Sequence, residues 1–252
     1  MALPLILGVA AGVAAAATAG YKIYQSYFND VISLNEFSLW GLPNSGKTTF
    51  IKRLLELKVD GEVKEQTTSK NVIEDIPIKE IDGKKYKIER IIDLPGTKDR
   101  LDCWIDNALK NKNSYFLINL CSLEDKNSSE YYMRLMSVFE TLKKRVNDKS
   151  KELSKGSFKL NLIYTHIDKS ESEFNAAQVT NELMDRDICR KVYEYFQEDI
   201  ESIKDGKDGQ SGEGSEGSEG SENKIKVKVY AVNLLNSASS AKLIKDLIKD
   251  AI

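Results

Sequence analysis

The chain opens on an apolar run: no charged residue occurs from Ala2 to Gly20, and the run breaks at Tyr21-Lys22. As a helix, that run spans roughly 28 Å, close to the hydrocarbon thickness of a bilayer. Beyond a polar stretch the pattern changes to short apolar segments alternating with amphipathic ones. Phe37-Ser38-Leu39-Trp40 reads as a buried strand, and Phe50 to Leu57 as a helix. Val72–Ile78 and Tyr86–Ile92 alternate with period two on either side of Asp82-Gly83, which predicts an antiparallel hairpin. Ser114–Cys121, Leu160–Tyr164 and Ile225–Tyr230 read as further strands, with helical stretches at Tyr131–Val146, Ala176–Ile203 and Ala241–Ile252. The alternation predicts an α/β fold, a mostly parallel sheet with helices on both faces. Residues 1–20 are then a membrane-spanning helix, 21–34 a juxtamembrane linker, and 35–252 one domain. Within it, Asp205–Glu222 is a Gly/Ser/Glu-rich stretch read as a flexible acidic insert.

The first segment is Ala-rich, and Tyr21, Lys22, Tyr24, Tyr27 and Phe28 follow it as the aromatic and cationic residues of a membrane interface. Gly8, Gly12, Ala16 and Gly20 recur every fourth position, the small-residue face on which two membrane helices approach, so a homodimer is one expectation. Two other readings stay open. Ala17-Thr18-Ala19 resembles a signal-peptide cleavage site, although no Lys or Arg precedes the run, and an Ala-rich helix can also be buried in protein.

Composition narrows the partners. Of 252 residues, 37 are Lys or Arg and 39 Asp or Glu, so the chain as a whole has no basic footprint for nucleic acid. Cys103, Cys121 and Cys189 form no CxxC pair and fit a reducing compartment better than a disulfide framework or zinc site. The single histidine, His166, leaves too few imidazoles for a histidine-rich metal site.

The chemistry concentrates after the first strand. Gly41-Leu42-Pro43-Asn44-Ser45-Gly46-Lys47-Thr48-Thr49 is G-x-x-x-x-G-K-[ST] between a strand and a helix, the setting this loop requires. Backbone amides of Gly41, Asn44, Ser45, Gly46 and Thr49 can converge on phosphate oxygens at a helix N-terminus, Lys47 can reach the β and γ phosphates, and the Thr48 hydroxyl can ligate Mg²⁺. The second hairpin strand runs into Asp93-Leu94-Pro95-Gly96. An acidic residue there can hold Mg²⁺, usually through water, and the Gly96 N–H can sense a γ-phosphate. Such a loop needs cytosolic nucleotide, which places a tethered domain on the cytoplasmic side of a single-pass membrane protein.

In the order of these motifs the chain resembles the small-GTPase superfamily from about residue 35 to 252. The resemblance implies binding of GTP and GDP with Mg²⁺ and slow hydrolysis by a molecular switch. It places switch I at Glu62–Asn71, where Thr67 or, by preference, Thr68 would close over Mg²⁺ and γ-phosphate. Switch II would be Thr97–Asp106. The base-reading motif would be Thr165-His166-Ile167-Asp168, in place of the usual [NT]KxD. Asp168 would accept from guanine N–H groups that adenine does not offer, with His166 where a lysine usually covers the base. Ala231-Val232-Asn233 departs from the usual fifth motif.

Gly41–Lys47 is similar both to the GxPNxGK loop of Era- and TrmE-type GTPases, where an asparagine at the place of Asn44 can bind K⁺, and to the loop of ADP-ribosylation-factor relatives. Thr97 stands where Ras-like members carry a catalytic glutamine, which implies low turnover without an effector, an activating protein, a cation or pairing of two domains. Two alternatives accompany the switch: a GTP-loaded anchoring platform resembling the β subunit of the signal-recognition-particle receptor, and a P-loop ATPase.

Overall fold

The computed structural model describes residues 31–59, 70–96, 101–111, 113–125, 129–148, 158–169, 179–197 and 225–252. The apolar N-terminal run, Thr67, Thr68, Thr97 and the acidic insert at 205–222 lie outside the described residues. Among the described residues no helix is long and apolar enough to cross a membrane.

Nine strands and seven helices are described. The strands are β1 (Val31–Leu34), β2 (Phe37–Trp40), β3 (Asn71–Ile73), β4 (Lys79–Ile81), β5 (Lys84–Ile88), β6 (Ile91–Asp93), β7 (Asn113–Asn119), β8 (Phe158–Thr165) and β9 (Ile225–Ala231). The helices are α1 (Lys47–Leu54), α2 (Leu101–Lys110), α3 (Leu120–Glu124), α4 (Ser129–Asp148), α5 (Val179–Asp185), α6 (Asp187–Gln197) and α7 (Ser237–Asp250).

The main sheet has the order β3-β6-β2-β7-β8-β9, with only β3 antiparallel to its neighbour. Its central strands β2, β7 and β8 are buried along nearly their whole length because helices cover both faces, whereas the edge strands β3 and β9 expose residues to solvent. Side-chain alternation sorts the core accordingly. Trp40, Phe116, Ile118, Leu160 and Leu162 point to one side, where Trp104 of α2, Leu135 and Phe139 of α4, and Val192 of α6 close over them. Phe37, Leu39, Tyr115, Leu117 and Ile163 point to the other, against Phe50 and Leu54 of α1 and Leu243 and Leu247 of α7. Helix α4 buries Leu135, Val138, Phe139, Leu142 and Val146, the three-and-four spacing of one helical stripe. Each such side chain contributes roughly 1.5–3 kcal/mol relative to exposure.

A second sheet, β1-β5-β4, packs Ile81, Tyr86 and Ile88 onto the α1/α7 side. The expected hairpin is there: Asp82 (φ 51°) and Gly83 (φ 75°) form its two-residue turn, both left-handed as a primed turn demands. Lys245 and Lys249 of α7 clasp the Asp82 carboxylate at 2.6 and 2.5 Å, and those bonds hold its pKa down to about 2.

Three expectations are corrected. The run 72–78 is not one strand: β3 ends at Ile73 and pairs with β6, while β4 begins at Lys79 and pairs with β5. Pro77, which donates no ladder hydrogen bond and restricts its predecessor, stands between them. The run 86–92 likewise divides into β5 and β6, one strand for each sheet. Val31–Leu34, inside the stretch read as linker, is a strand paired in parallel with β5, Val31 opposite Lys85.

Among the cysteines, Cys103 is exposed, Cys121 half-buried and Cys189 buried. Burial pushes the Cys189 thiol up to about 12. At pH 8 iodoacetamide should therefore modify Cys103 in the folded protein and spare Cys189, as mass spectrometry of the digested product will read; alkylation of both at one rate would contradict this packing.

Candidate functional site

Strand β2 ends at Trp40, pinned by an indole N–H donated to Ser114 Oγ at 2.8 Å and an edge-on contact with Phe116. The loop that follows departs from ordinary backbone at Gly41 (φ 143°), Asn44 (φ 59°) and Gly46 (φ 87°), and α1 starts at Lys47. A Cβ on Gly41 would lie 2.4 Å from the Leu117 carbonyl oxygen, so the loop leaves the sheet in contact with β7 backbone. The glycines thus let the loop turn back over the helix N-terminus, where amides and helix dipole favour an anion.

Lys47 lies inside the loop. Its ammonium donates to Gly41 O at 3.0 Å, to Leu42 O at 3.1 Å and, weakly, to Ser45 Oγ at 3.4 Å. Burial lowers its pKa to about 8, the Asp93 carboxylate opposing the shift. Asp93 is itself buried at the end of β6, in register with Leu39 of β2. Thr48 and Thr49 are half-buried in the first turn of α1, Ser45 is buried, and Asn44 is exposed. Thr48 and Asp93 offer hydroxyl and carboxylate oxygens, the hard donors that Mg²⁺ takes, next to an ammonium suited to phosphate.

Gly96 packs against this loop. A Cβ there would lie 2.8 Å from Pro43 N, 2.9 Å from Pro43 Cα and 3.0 Å from Leu42 C, all backbone atoms that cannot swing aside. Gly96→Ala is expected to lower the melting temperature by on the order of 5 °C. An unchanged melt would mean that this contact is loose.

Thr165 ends β8, and its hydroxyl sits 3.0 Å from Ser45 O and 3.1 Å from Ile118 O, with His166 Nδ1 at 2.8 Å. Its side chain thus meets the phosphate-type loop directly. His166 is left-handed (φ 58°), and its pKa is lowered chiefly by burial, Lys169 adding to the shift. The turn Ile167–Lys169 follows directly and carries Asp168 exposed.

Two residues that no motif announces complete the arrangement. Asn119, at the end of β7, donates its amide to Asn44 O at 3.0 Å. Arg53 of α1 donates to Leu234 O at 2.8 Å and Leu235 O at 2.5 Å, tying the segment after β9 to the helix that the loop begins. Asn233 shapes that segment, its Oδ1 accepting from Leu235 N at 2.9 Å and Asn236 N at 3.3 Å. The sequence pattern runs a strand through Asn119 to Cys121, whereas the structure ends β7 at Asn119 and uses its side chain to cap α3, a role asparagine favours.

A glycine-turned loop between strand and helix thus lies at the carboxyl edge of a sheet ordered β3-β6-β2-β7-β8-β9, an α/β arrangement suited to holding a phosphate group. Residues 36–154 match the family model described as the 50S ribosome-binding GTPase. Among solved structures the chain is similar to the Arl6 (BBS3) small GTPase from Trypanosoma brucei with bound GppNp. The two share 16% identity at a TM-score of 0.48, covering 87% of this chain and 98% of that one. It is also similar to the signal recognition particle receptor SRb-GTP/SRX complex from Chaetomium thermophilum. Identity there is 14% and the TM-score 0.49, covering 85% of this chain and 99% of that one. No curated protein matches.

Proposed function

We propose that this chain is a membrane-tethered GTP switch with slow intrinsic turnover, its G domain on the cytoplasmic side and its membrane segment at residues 1–20. The observation that carries the nucleotide reading is the loop Gly41–Thr48, in which a buried lysine and a helix N-terminus converge beside the Asp93 carboxylate. Asp168, exposed on the turn after β8, supports guanine as the base. Thr48 and Asp93 would hold Mg²⁺, which when bound offsets phosphate charge. Thr68 or Thr67 would close switch I over it. Slow turnover follows from Thr97 standing where a water-orienting glutamine would be. Tethering is supported by the uncharged run from Ala2 to Gly20 and its aromatic border. The chain then enters the domain at Val31, beside Lys85 at the hairpin end of β5.

The same missing glutamine favours one second reading, a GTP-loaded membrane platform that hardly hydrolyses. Calorimetric titration of the full chain with GTP, GDP and ATP, each with Mg²⁺, tests the nucleotide; preference for ATP, or no binding, would overturn the assignment. Multiple-turnover phosphate release then separates the two: a measurable steady rate makes it a switch, and none over many hours makes it a platform. Carbonate extraction of membranes containing the full chain tests the anchor, since a spanning helix keeps the protein in the pellet.

A further inference from the structure

Asn119 and Thr165 are register partners at the carboxyl ends of β7 and β8. Each holds a carbonyl of the P-loop, Asn119 Nδ2 that of Asn44 and Thr165 Oγ1 that of Ser45, both at 3.0 Å. In a trans peptide the N–H points away from its C=O. Holding Asn44 O against β7 therefore turns the Ser45 N–H to the opposite side of the loop, and holding Ser45 O does the same for Gly46 N–H. Successive amides turned one way make the concavity that binds an anion.

Thr165 belongs to the base-reading motif; Asn119 belongs to none. We infer that Asn119 is a positioning residue for the nucleotide phosphates, fixing the left-handed Asn44 backbone so that the Ser45 N–H faces the β-phosphate. This rests on the GTP-binding reading of the loop. The Asn119 side chain is anchored at both of its polar ends. It is 8% exposed, and while Nδ2 donates to the loop, Oδ1 accepts from Ser122 N at 3.1 Å, capping α3. Its backbone N–H donates to Tyr131 Oη at 2.9 Å. The amide cannot rotate without giving up the cap on one side or the loop on the other.

Those two duties separate by substitution. Aspartate and serine both cap helices about as well as asparagine. At neutral pH aspartate has no proton to donate to Asn44 O, and serine is too short to reach it. The full-length Asn119→Asp and Asn119→Ser proteins are titrated with GTP and with ATP, in Mg²⁺, and melted thermally without nucleotide. Each variant is expected to lose about tenfold in GTP affinity. The ratio of GTP to ATP affinity should stay within about twofold of the unsubstituted protein, because both nucleotides share the phosphates, and the melting temperature should stay within a few degrees.

Undiminished GTP affinity in both variants would overturn the inference. So would an affinity loss that travels with a collapsed melt and a lost base preference, the mark of a residue that only supports the fold. If Asn119→Asp alone fails to fold, Asn119→Ser decides. If the unsubstituted protein binds neither nucleotide, the GTP reading itself falls and this inference falls with it.

Discussion

Lys47→Ala is expected to abolish measurable GTP binding while leaving the folded domain intact. The ammonium is the one cation that the loop carries inside its own curve, bonded to Gly41 O and Leu42 O. A charge-assisted hydrogen bond to a phosphate oxygen is worth about 1.5–3 kcal/mol, and Lys47 can serve two phosphates, so the loss is roughly 10²- to 10⁴-fold in affinity. Stability should respond differently. Burial lowers the Lys47 pKa from 10.5 to about 8, so the folded state disfavours the charged form. Between about pH 8 and 10.5 the unfolded chain binds more protons than the folded one, and stability contributed at this site rises with pH across that window. Below pH 8 the full cost of burying the charge is present. Removing the ammonium at pH 7 should therefore leave the melting temperature of the nucleotide-free protein unchanged or raised, with the gain shrinking as pH passes from about 8 to 10.5. Calorimetry with GTP and thermal melts at pH 7 and 10 check both halves. Retained GTP affinity would remove Lys47 from the site, and a melt lowered by several degrees at pH 7 would mean that the aliphatic stem matters more to packing than the buried charge costs.

What was legible in the sequence was local. The strand, loop and helix from Phe37 to Leu54 declare themselves because the loop chemistry demands glycine and lysine at fixed spacing, and the Asp82-Gly83 turn because few residues accept two successive left-handed conformations. The period-two runs marked where strands lie but not where they stop. Val72–Ile78 reads as continuous, yet only Val72 and Ile73 are strand, and Tyr86–Ile92 is divided between two sheets. Strand β1 was hidden for a related reason: four residues pair in parallel with a strand more than fifty positions away, and nothing in Val31–Leu34 itself records that partner.

The same limit applies at the site. Asn119 meets Asn44 across 75 positions, and Arg53 meets Leu234 across 181. Motif spacing names the groups that would touch a ligand; it is silent on the groups that hold those in place, because that work depends on which strand ends the fold makes neighbours. Thr165 shows the two overlapping. A residue read as part of a base-recognition motif spends its hydroxyl on the P-loop and on β7, so the loop that carries Asp168 and the loop that carries Lys47 share one buried side chain.

That shared support bears on the second large effect, a change of base preference in Asp168→Asn. Asp168 is exposed on the turn Ile167–Lys169, which His166 enters in a left-handed conformation and which Lys169 N closes with a 3.1 Å bond to His166 O. The aspartate carboxylate only accepts hydrogen bonds, and guanine presents two donors, N1–H and the exocyclic amine, spaced to meet it. Asparagine keeps one acceptor and turns the other oxygen into a donor, which faces the guanine amine donor to donor. Xanthine has a carbonyl oxygen in place of that amine, so the same asparagine pairs with it at both positions. With about 1.5–3 kcal/mol for a bond to a charged group lost on guanine, and an unpaired donor added, GTP affinity should fall roughly 10²- to 10³-fold and XTP should become the preferred nucleotide. The substitution is nearly isosteric and Asp168 is exposed, so the melting temperature should not move. Competition of XTP and GTP against a fluorescent guanine nucleotide reads the exchange. An unaltered order of affinities would place base recognition elsewhere, whereas equal weakening for both nucleotides would mean that Asp168 holds the turn rather than the base.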